Sequence, residues 1–311
     1  MSDLYAGGEL IAEVVRNGVV ESRHSGSAVV LDARGEVVAW AGDVLGAVFP
    51  RSSNKPMQAV GMLRAGLKVD DAQLALIAAS HRGHEIHVSG VRRLLGDIPV
   101  EALQCPPDYP LADEPRDAAG RRERLFMNCS GKHAGMLRTA RANGWPLETY
   151  LDPAHPLQVG LIATVEELAG EPARAIAVDG CGAPLLAISL RALAGAFLRL
   201  VGAPTGTAER AVADAMRAHP EMVSGDDPGE DDTRLMRAVP GLLLKSGAEG
   251  VSAAALPGVG AVALKIDDGG PRARLPVLAA GFARLGVSLP GRVEVPVFGG
   301  GREVGVVRSV W

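Results

Sequence analysis

Apolar residues fall in short β-rich blocks at both ends of the chain and follow a helical period between them. At the amino end, runs at 10–15, 19–24, 28–32 and 36–40 are separated by Asn17-Gly18, Ser25-Gly26 and Arg34-Gly35, predicting a β-meander over 9–43. Pro56 is tolerated only in the first turn of a helix, which places a helix start at about Ser53 or Asn54. Residues 71–79 are nearly all apolar and predict a short helix buried on every side. From about 84 to 240 the 3.6-residue period dominates, with helices expected at 85–96, 131–143, 155–169, 185–201, 206–218 and 230–238 and one strand at 175–178. The Pro-, Asp- and Ala-rich stretch 105–120 reads as a surface loop able to act as a lid. The β signal returns at 241–245, 250–254 and 261–266, followed by a helix at about 274–285 and a strand pair near 291–308.

This order predicts an α+β fold: an antiparallel sheet built from N- and C-terminal strands, with an inserted helical region beside it. The expected unit is a single domain over 1–311, its sheet portions at about 1–50 and 241–311 and its helical portion at about 51–240, with the site in the cleft between them. The chain of 311 residues is 47% hydrophobic and 22% charged, enough for a sizeable core and unlike disorder. A net charge of −4 with scattered basic residues points away from nucleic acid, and the apolar runs are too short or interrupted to span a membrane. Residues 1–6 lack the basic and apolar regions of a signal peptide, and three cysteines argue against a disulfide framework, so a cytoplasmic location is expected.

Candidate chemistry starts at Ser52 and Lys55, a Ser-x-x-Lys at a helix entry. Three residues' separation puts both side chains on one face, and the positive end of the helix dipole favours a neutral Lys55 amine that can take a proton from a serine. The match is not specific alone, since a capping serine beside a surface lysine gives the same spacing. It gains weight because the chain has 5 Lys against 27 Arg, and guanidinium cannot serve as a base. Ser80 sits at an abrupt polar turn after the apolar helix. His81, His84 and His87 recur every three residues, but not in a His-Glu-x-x-His zinc pattern. Cys129 and Lys132 open one helix together with His133, and Asp179-Gly180-Cys181-Gly182 follows the strand at 175–178. Two thiolates and a third donor suit tetrahedral zinc, while buried apolar cysteines explain the same spacing. Cys105 reads as incidental. Lys245-Ser246-Gly247 ends a strand and corresponds to the Lys-Thr-Gly element of Ser-x-x-Lys acyl-transfer enzymes.

Arg-Ser-Ser-Asn-Lys-Pro (51–56), Cys-Ser-Gly-Lys-His-Ala-Gly (129–135), Asp-Gly-Cys-Gly-Ala-Pro (179–184) and Lys-Ser-Gly-Ala-Glu-Gly (245–250) together resemble the Rhizobium etli-type L-asparaginases of the asparaginase II family. The resemblance spans the chain in order. It implies a serine β-lactamase-like fold and hydrolysis of L-asparagine to aspartate and ammonia by two Ser–Lys tandems, Ser52–Lys55 and Ser80–Lys245. Lys245 is preferred to Lys265 because it begins the Lys-Ser-Gly segment. It also implies one zinc ion per subunit held by Cys129, Lys132 and Cys181, anchoring the substrate's α-amino and α-carboxylate groups, with Arg51, His133 and Asp179 close by as substrate-binding residues. A homodimer is the implied assembly. A penicillin-recognising Ser-x-x-Lys acylase and a non-catalytic zinc- or amino-acid-binding module are the alternatives.

Overall fold

The computed structural model describes residues 4–227 and 229–311. The amino-terminal strands are β1 (Glu9–Arg16), β2 (Val19–Asp32), β3 (Val37–Ala41) and β4 (Ala47–Val48). Two strands lie mid-chain, β5 (Ala175–Val178) and β6 (Pro184–Ser189). The remainder are β7 (Leu243–Ser246), β8 (Val251–Leu256), β9 (Gly260–Ile266), β10 (Val295–Gly299) and β11 (Arg302–Ser309). The helices are α1 (Lys55–Arg64), α2 (Asp71–Ile77), α3 (Glu85–Leu95), α4 (Asp113–Ala119), α5 (Ser130–Ala142), α6 (Pro156–Ala169), α7 (Leu190–Gly202), α8 (Ala208–Ala218), α9 (Pro220–Ser224), α10 (Asp231–Ala238) and α11 (Arg274–Arg284).

Strands from both termini interleave in one antiparallel sheet, ordered β10-β11-β1-β2-β9-β8-β7 with β3 on β2. The β1–β2 hairpin turns at Asn17-Gly18, where both residues have positive φ (48° and 82°), as a two-residue turn matching strand twist requires. β1 then pairs with the carboxyl-terminal β11, Val14 opposite Val307. β8 and β9 are buried at almost every position, so both sheet faces are covered; α7 and α11 both pack on these strands. The helical insertion lies between β4 and β7 in sequence. This is the α+β layout expected from the pattern, an antiparallel sheet of N- and C-terminal strands with an inserted helical region, and it agrees with the fold that the resemblance implies.

Three local expectations change. The runs at 19–24 and 28–32 form one 14-residue strand, and Ser25-Gly26 is not a turn. Gly26 serves close approach instead: a Cβ there would lie 2.3 Å from the Lys265 carbonyl oxygen and 2.6 Å from Ile11 Cδ1. The helix expected at 185–201 begins only at Leu190. Its first residues are β6, which pairs with β4 and β5 in a separate three-stranded sheet inside the helical portion. An unbroken apolar run reads alike as buried strand or buried helix. The stretch 105–120 carries α4 rather than loop alone, and α9 follows α8 directly. Among the described residues, no helix is long and apolar enough to cross a membrane.

Gly26→Ala should destabilise the sheet by about 2–3 kcal/mol, because the obstruction is backbone that cannot rotate away. Calorimetry should show a Tm roughly 3–5 °C lower. Gly202→Ala, whose Cβ would meet nothing within 4 Å, is the control. Equal Tm values for the two variants would refute the close-approach account.

Candidate active site

Ser52 lies in a 3₁₀ turn, Arg51–Asn54, that leads into α1 at Lys55. Two contacts clamp this turn to the end of β7. Buried Ser53 donates its Oγ hydrogen to the Lys245 carbonyl at 2.9 Å, and a Cβ on Gly247 would come within 2.6 Å of the Pro50 carbonyl. The glycine of Lys-Ser-Gly is thus the residue that lets strand and turn meet. Arg51 takes a positive φ of 52°, unusual for a residue with a side chain, immediately before Ser52. α5 approaches α2 through Gly131 and Gly135, whose added Cβ atoms would lie 2.5 Å from the Leu76 carbonyl oxygen and 2.8 Å from Ile77 Cγ1. The start of α5 is also tied to the residue after Ser80, His81 N–H donating to the Asn128 carbonyl at 3.1 Å.

A cavity of about 510 Å³ opens between sheet and helices. Ser52, Ser80, Asn128, Lys245 and Ser246 contribute to its wall, together with Arg82, Glu230 and Asp232. Lys55, 1% exposed, donates to the Ala79 carbonyl and, at 3.1 Å, to Ser80 Oγ. The hydrogen bond therefore joins Lys55 to Ser80, not to Ser52 as the spacing predicts. Ser52 Oγ has no hydrogen-bond partner among the described residues. Lys245, also 1% exposed, donates to the Ser246 carbonyl at 2.6 Å and lies 3.7 Å from the carboxylate of Asp232. Burial pushes its ammonium down to about 8, and Lys55 and Arg274 push the same way, while Asp232 opposes them. Lys265 is not in this wall; its amine donates to the carbonyls of Glu249 and Ile266.

Asp232 carries no sequence signature of its own, although it sits in the acidic run Glu230-Asp231-Asp232 opening α10. It is 5% exposed, accepts from both the N–H and the hydroxyl of Ser246 (2.8 and 2.6 Å), and so fixes the strand that carries Lys245. Glu230, its neighbour in the wall, is pushed up by burial and pairs with Arg82 at 3.2 Å.

Behind Asn128 lies the cysteine cluster. Cys129, Lys132 and Cys181 are all buried, with Lys132 Nζ 3.2 Å from Cys181 Sγ. The hydrogen bond from Cys129 holds Cys181 well below the ordinary thiol range, with Lys132 and His133 assisting. That same bond, and burial, push Cys129 up. Burial acts to lower Lys132, but the charges of Cys181, Cys129 and Asp179 outweigh it and leave the amine raised. The cluster is thus a thiolate–ammonium pair beside a second thiol. His133 Nε2 is buried without a hydrogen-bond partner, while Nδ1 meets Tyr150 Oη at 2.6 Å. Tyr150 Oη accepts from Gln104 N–H, so its proton is available to Nδ1 and a neutral His133 carries its own on Nε2, beside Cys181. Two sulfur donors and a deprotonatable amine fit a thiophilic ion, which would replace the proton they now share. No group of three His, Cys, Asp or Glu side chains with metal-binding arrangement occurs among the described residues, so the lysine is needed for a third donor.

The three expected substrate-binding residues are placed differently. Arg51 is paired with Asp179 (2.8 Å) and Glu249 (3.6 Å), and His133 is wholly buried; none of Arg51, His133 and Asp179 lines the cavity. His81, His84 and His87 stack or tilt against one another, and His81 donates to or accepts from Ser130 Oγ at 2.8 Å. Burial lowers both His81 and His87, so they are neutral packing groups.

The family model described as L-asparaginase II matches residues 12–308. A comparison with curated proteins finds no match. Similar solved structures include Mglu in its native form, at 16% identity over 84% of this chain and 63% of that one, with a TM-score of 0.43. Mglu in its tris and glutamate form gives 16% identity over 89% and 63%, with a TM-score of 0.46. A β-lactamase from Mycobacterium bovis gives 17% identity over 82% and 92%, with a TM-score of 0.35. The chain spans under two thirds of the length of the Mglu structures.

Because the Asp232 carboxylate holds the Lys245 pKa up against burial, Asp232→Asn should lower it further below 8. NMR titration of selectively ¹³C-labelled lysine would show this; an unchanged or higher value would contradict the assignment.

Proposed function

The chain belongs to the L-asparaginase II family, and from that membership we propose that it is an amidohydrolase, an L-asparaginase converting L-asparagine to L-aspartate and ammonia. The observation that carries the reading is the Lys55–Ser80 hydrogen bond at the wall of a cavity that Ser52 and Lys245 share. A serine hydroxyl there attacks the side-chain amide carbon, forming an acyl-oxygen bond as its proton passes to a lysine amine. Lys245, lowered to about 8 by burial, has an amine able to accept a proton near neutral pH. Backbone N–H groups at the start of the 51–54 turn are the donors proposed for the developing oxyanion, apart from that of Ser53, which bonds the Pro50 carbonyl at 3.1 Å. The protonated lysine then gives its proton to the departing ammonia, and water hydrolyses the ester to release aspartate.

One zinc ion per subunit, held by Cys129, Lys132 and Cys181, would supply fixed positive charge behind the Asn128 wall and so assist substrate binding. The chemistry of the donor set supports that assignment. Three free cysteines accord with a cytoplasmic setting. The homodimer is proposed on the resemblance.

Wild-type protein should release ammonia from L-asparagine, and Ser80→Ala, Ser52→Ala and Lys55→Ala should each lose at least about 100-fold in kcat. Absence of ammonia from folded, zinc-loaded protein would overturn the proposal. Since only the unprotonated Lys245 accepts a proton, kcat/KM should rise roughly tenfold per pH unit below about 8 and level off above it. A profile without that rise would exclude Lys245 as the base. For the metal, Cys181→Ser should strip zinc, read by atomic absorption, and raise KM with a much smaller change in kcat. Loss of kcat at constant KM would contradict a binding role.

A further inference from the structure

Ser22 and His24 are two residues apart on β2 and share a face of the strand. Both reach Arg272, in the turn after β9, which lines the cavity holding Ser52, Ser80 and Lys245. Arg272 Nε donates to His24 Nε2 at 2.8 Å and Nη2 donates to Ser22 Oγ at 3.1 Å. His24 is only 3% exposed, and its Nδ1 meets the Asp268 carboxylate. An imidazole that accepts at Nε2 must carry its proton at Nδ1, so Asp268 sets the tautomer that receives the arginine. Asp268 is itself steadied by the Gly270 N–H at 2.7 Å.

The clamp consumes Nε and Nη2 and leaves Nη1 without a partner among the described residues. It also leaves the guanidinium without a direct carboxylate contact. Other cations in the same wall are committed: Arg82 to Asp227 and Glu230, Lys245 to Asp232 and Ser246, and Arg274 to the carbonyls of Gly247 and Pro271. Cys129, Lys132 and Cys181 do not contribute to the wall. A guanidinium held in one orientation by the buried His24 and the half-buried Ser22, with one nitrogen free in the residue that lines the cavity, is arranged to receive an anion at little further entropic cost.

We infer that Arg272 is the specificity residue that receives the α-carboxylate of the amino-acid substrate, with His24, Ser22 and Asp268 as its positioning residues. This deepens the L-asparaginase reading and rests on it, and it assigns the carboxylate to Arg272 rather than to the buried cysteine cluster.

The test compares ammonia release from L-asparagine with release from 3-aminopropanamide, which has the same amine and amide but no carboxylate. Arg272→Gln should raise KM for L-asparagine roughly ten- to hundredfold, the loss expected for one charge-assisted hydrogen bond, while kcat/KM for 3-aminopropanamide changes less than about threefold. Arg272→Lys should recover part of the KM loss, since it restores charge without the fork. His24→Leu should move KM in the same direction by a smaller factor, at a Tm measured alongside. Equal losses on both amides, or an unchanged KM for L-asparagine, would overturn the assignment. If wild type hydrolyses neither amide, the L-asparaginase reading falls, and calorimetric binding of L-aspartate decides the inference by itself. Wild type binding at least about tenfold tighter than Arg272→Gln supports it; equal affinities, or no binding by either, overturn it.

Discussion

Burying a lysine amine is the constraint on which the site depends. An ammonium taken out of water is costly unless it is paired, hydrogen-bonded or deprotonated. Yet Lys55, Lys132 and Lys245, three of the five lysines in a chain with 27 arginines, are 2% exposed or less. Each meets the cost in its own way. Lys55 spends its donors on the Ala79 carbonyl and Ser80, Lys132 is matched by the Cys181 thiolate, and Lys245 has a more distant carboxylate and a lowered pKa. The first is fixed as a hydrogen-bond donor, the second is charge-neutralised, and the third is poised to exchange a proton. Arginine could fill none of these places without keeping its charge.

Holding three amines together requires backbone close to backbone, which explains the small residues in the motifs. Gly247 brings β7 against the Pro50 carbonyl, Gly131 and Gly135 let α5 settle on α2, and Gly26 admits β9 beside β2. The glycines next to catalytic-looking residues act through packing, not through phosphate or substrate cradling. Arg51 and Glu249, both at positive φ, are joined by a 3.6 Å ion pair across the Ser52 turn and the Lys-Ser-Gly strand end. Two backbone conformations that side chains disfavour are thus held against each other at the point where the two motifs meet.

Local features were readable in the sequence. The Asn17-Gly18 hairpin, Pro56 at a first turn, the amphipathic α8 and the β–α–β order of the whole chain all follow from patterns within a few residues. The elements whose local pattern misleads depend on distant partners. Gly26 reads as a turn until Lys265 is seen across it, and 185–189 reads as helix until β4 and β5 pair with it. The site divides the same way. Its serines, lysines and cysteines stand out by type and spacing, whereas Asp232 and the His24–Arg272 pair, 248 residues apart, leave no mark that sequence spacing records.

The crossed partnership of Lys55 shows why spacing indicates a shared face without indicating a contact. Ser52 and Lys55 straddle the change from 3₁₀ turn to α-helix, and the lysine stem runs inward, where a buried ammonium must find acceptors. Those acceptors are supplied by the segment after α2: the Ala79 carbonyl and, one residue later, Ser80 Oγ. That segment is pinned from both sides, Ser80 N–H to the Val223 carbonyl and His81 N–H to the Asn128 carbonyl, so Ser80 is presented by tertiary structure alone. Ser52, left without a side-chain partner, keeps both its donor and its lone pairs for whatever enters the cavity. The two serines therefore face a substrate in different states, one already aligned by an amine and one free to reorient. A symmetric pair of tandems would not give that difference. It follows from the need to satisfy one buried lysine before any substrate arrives.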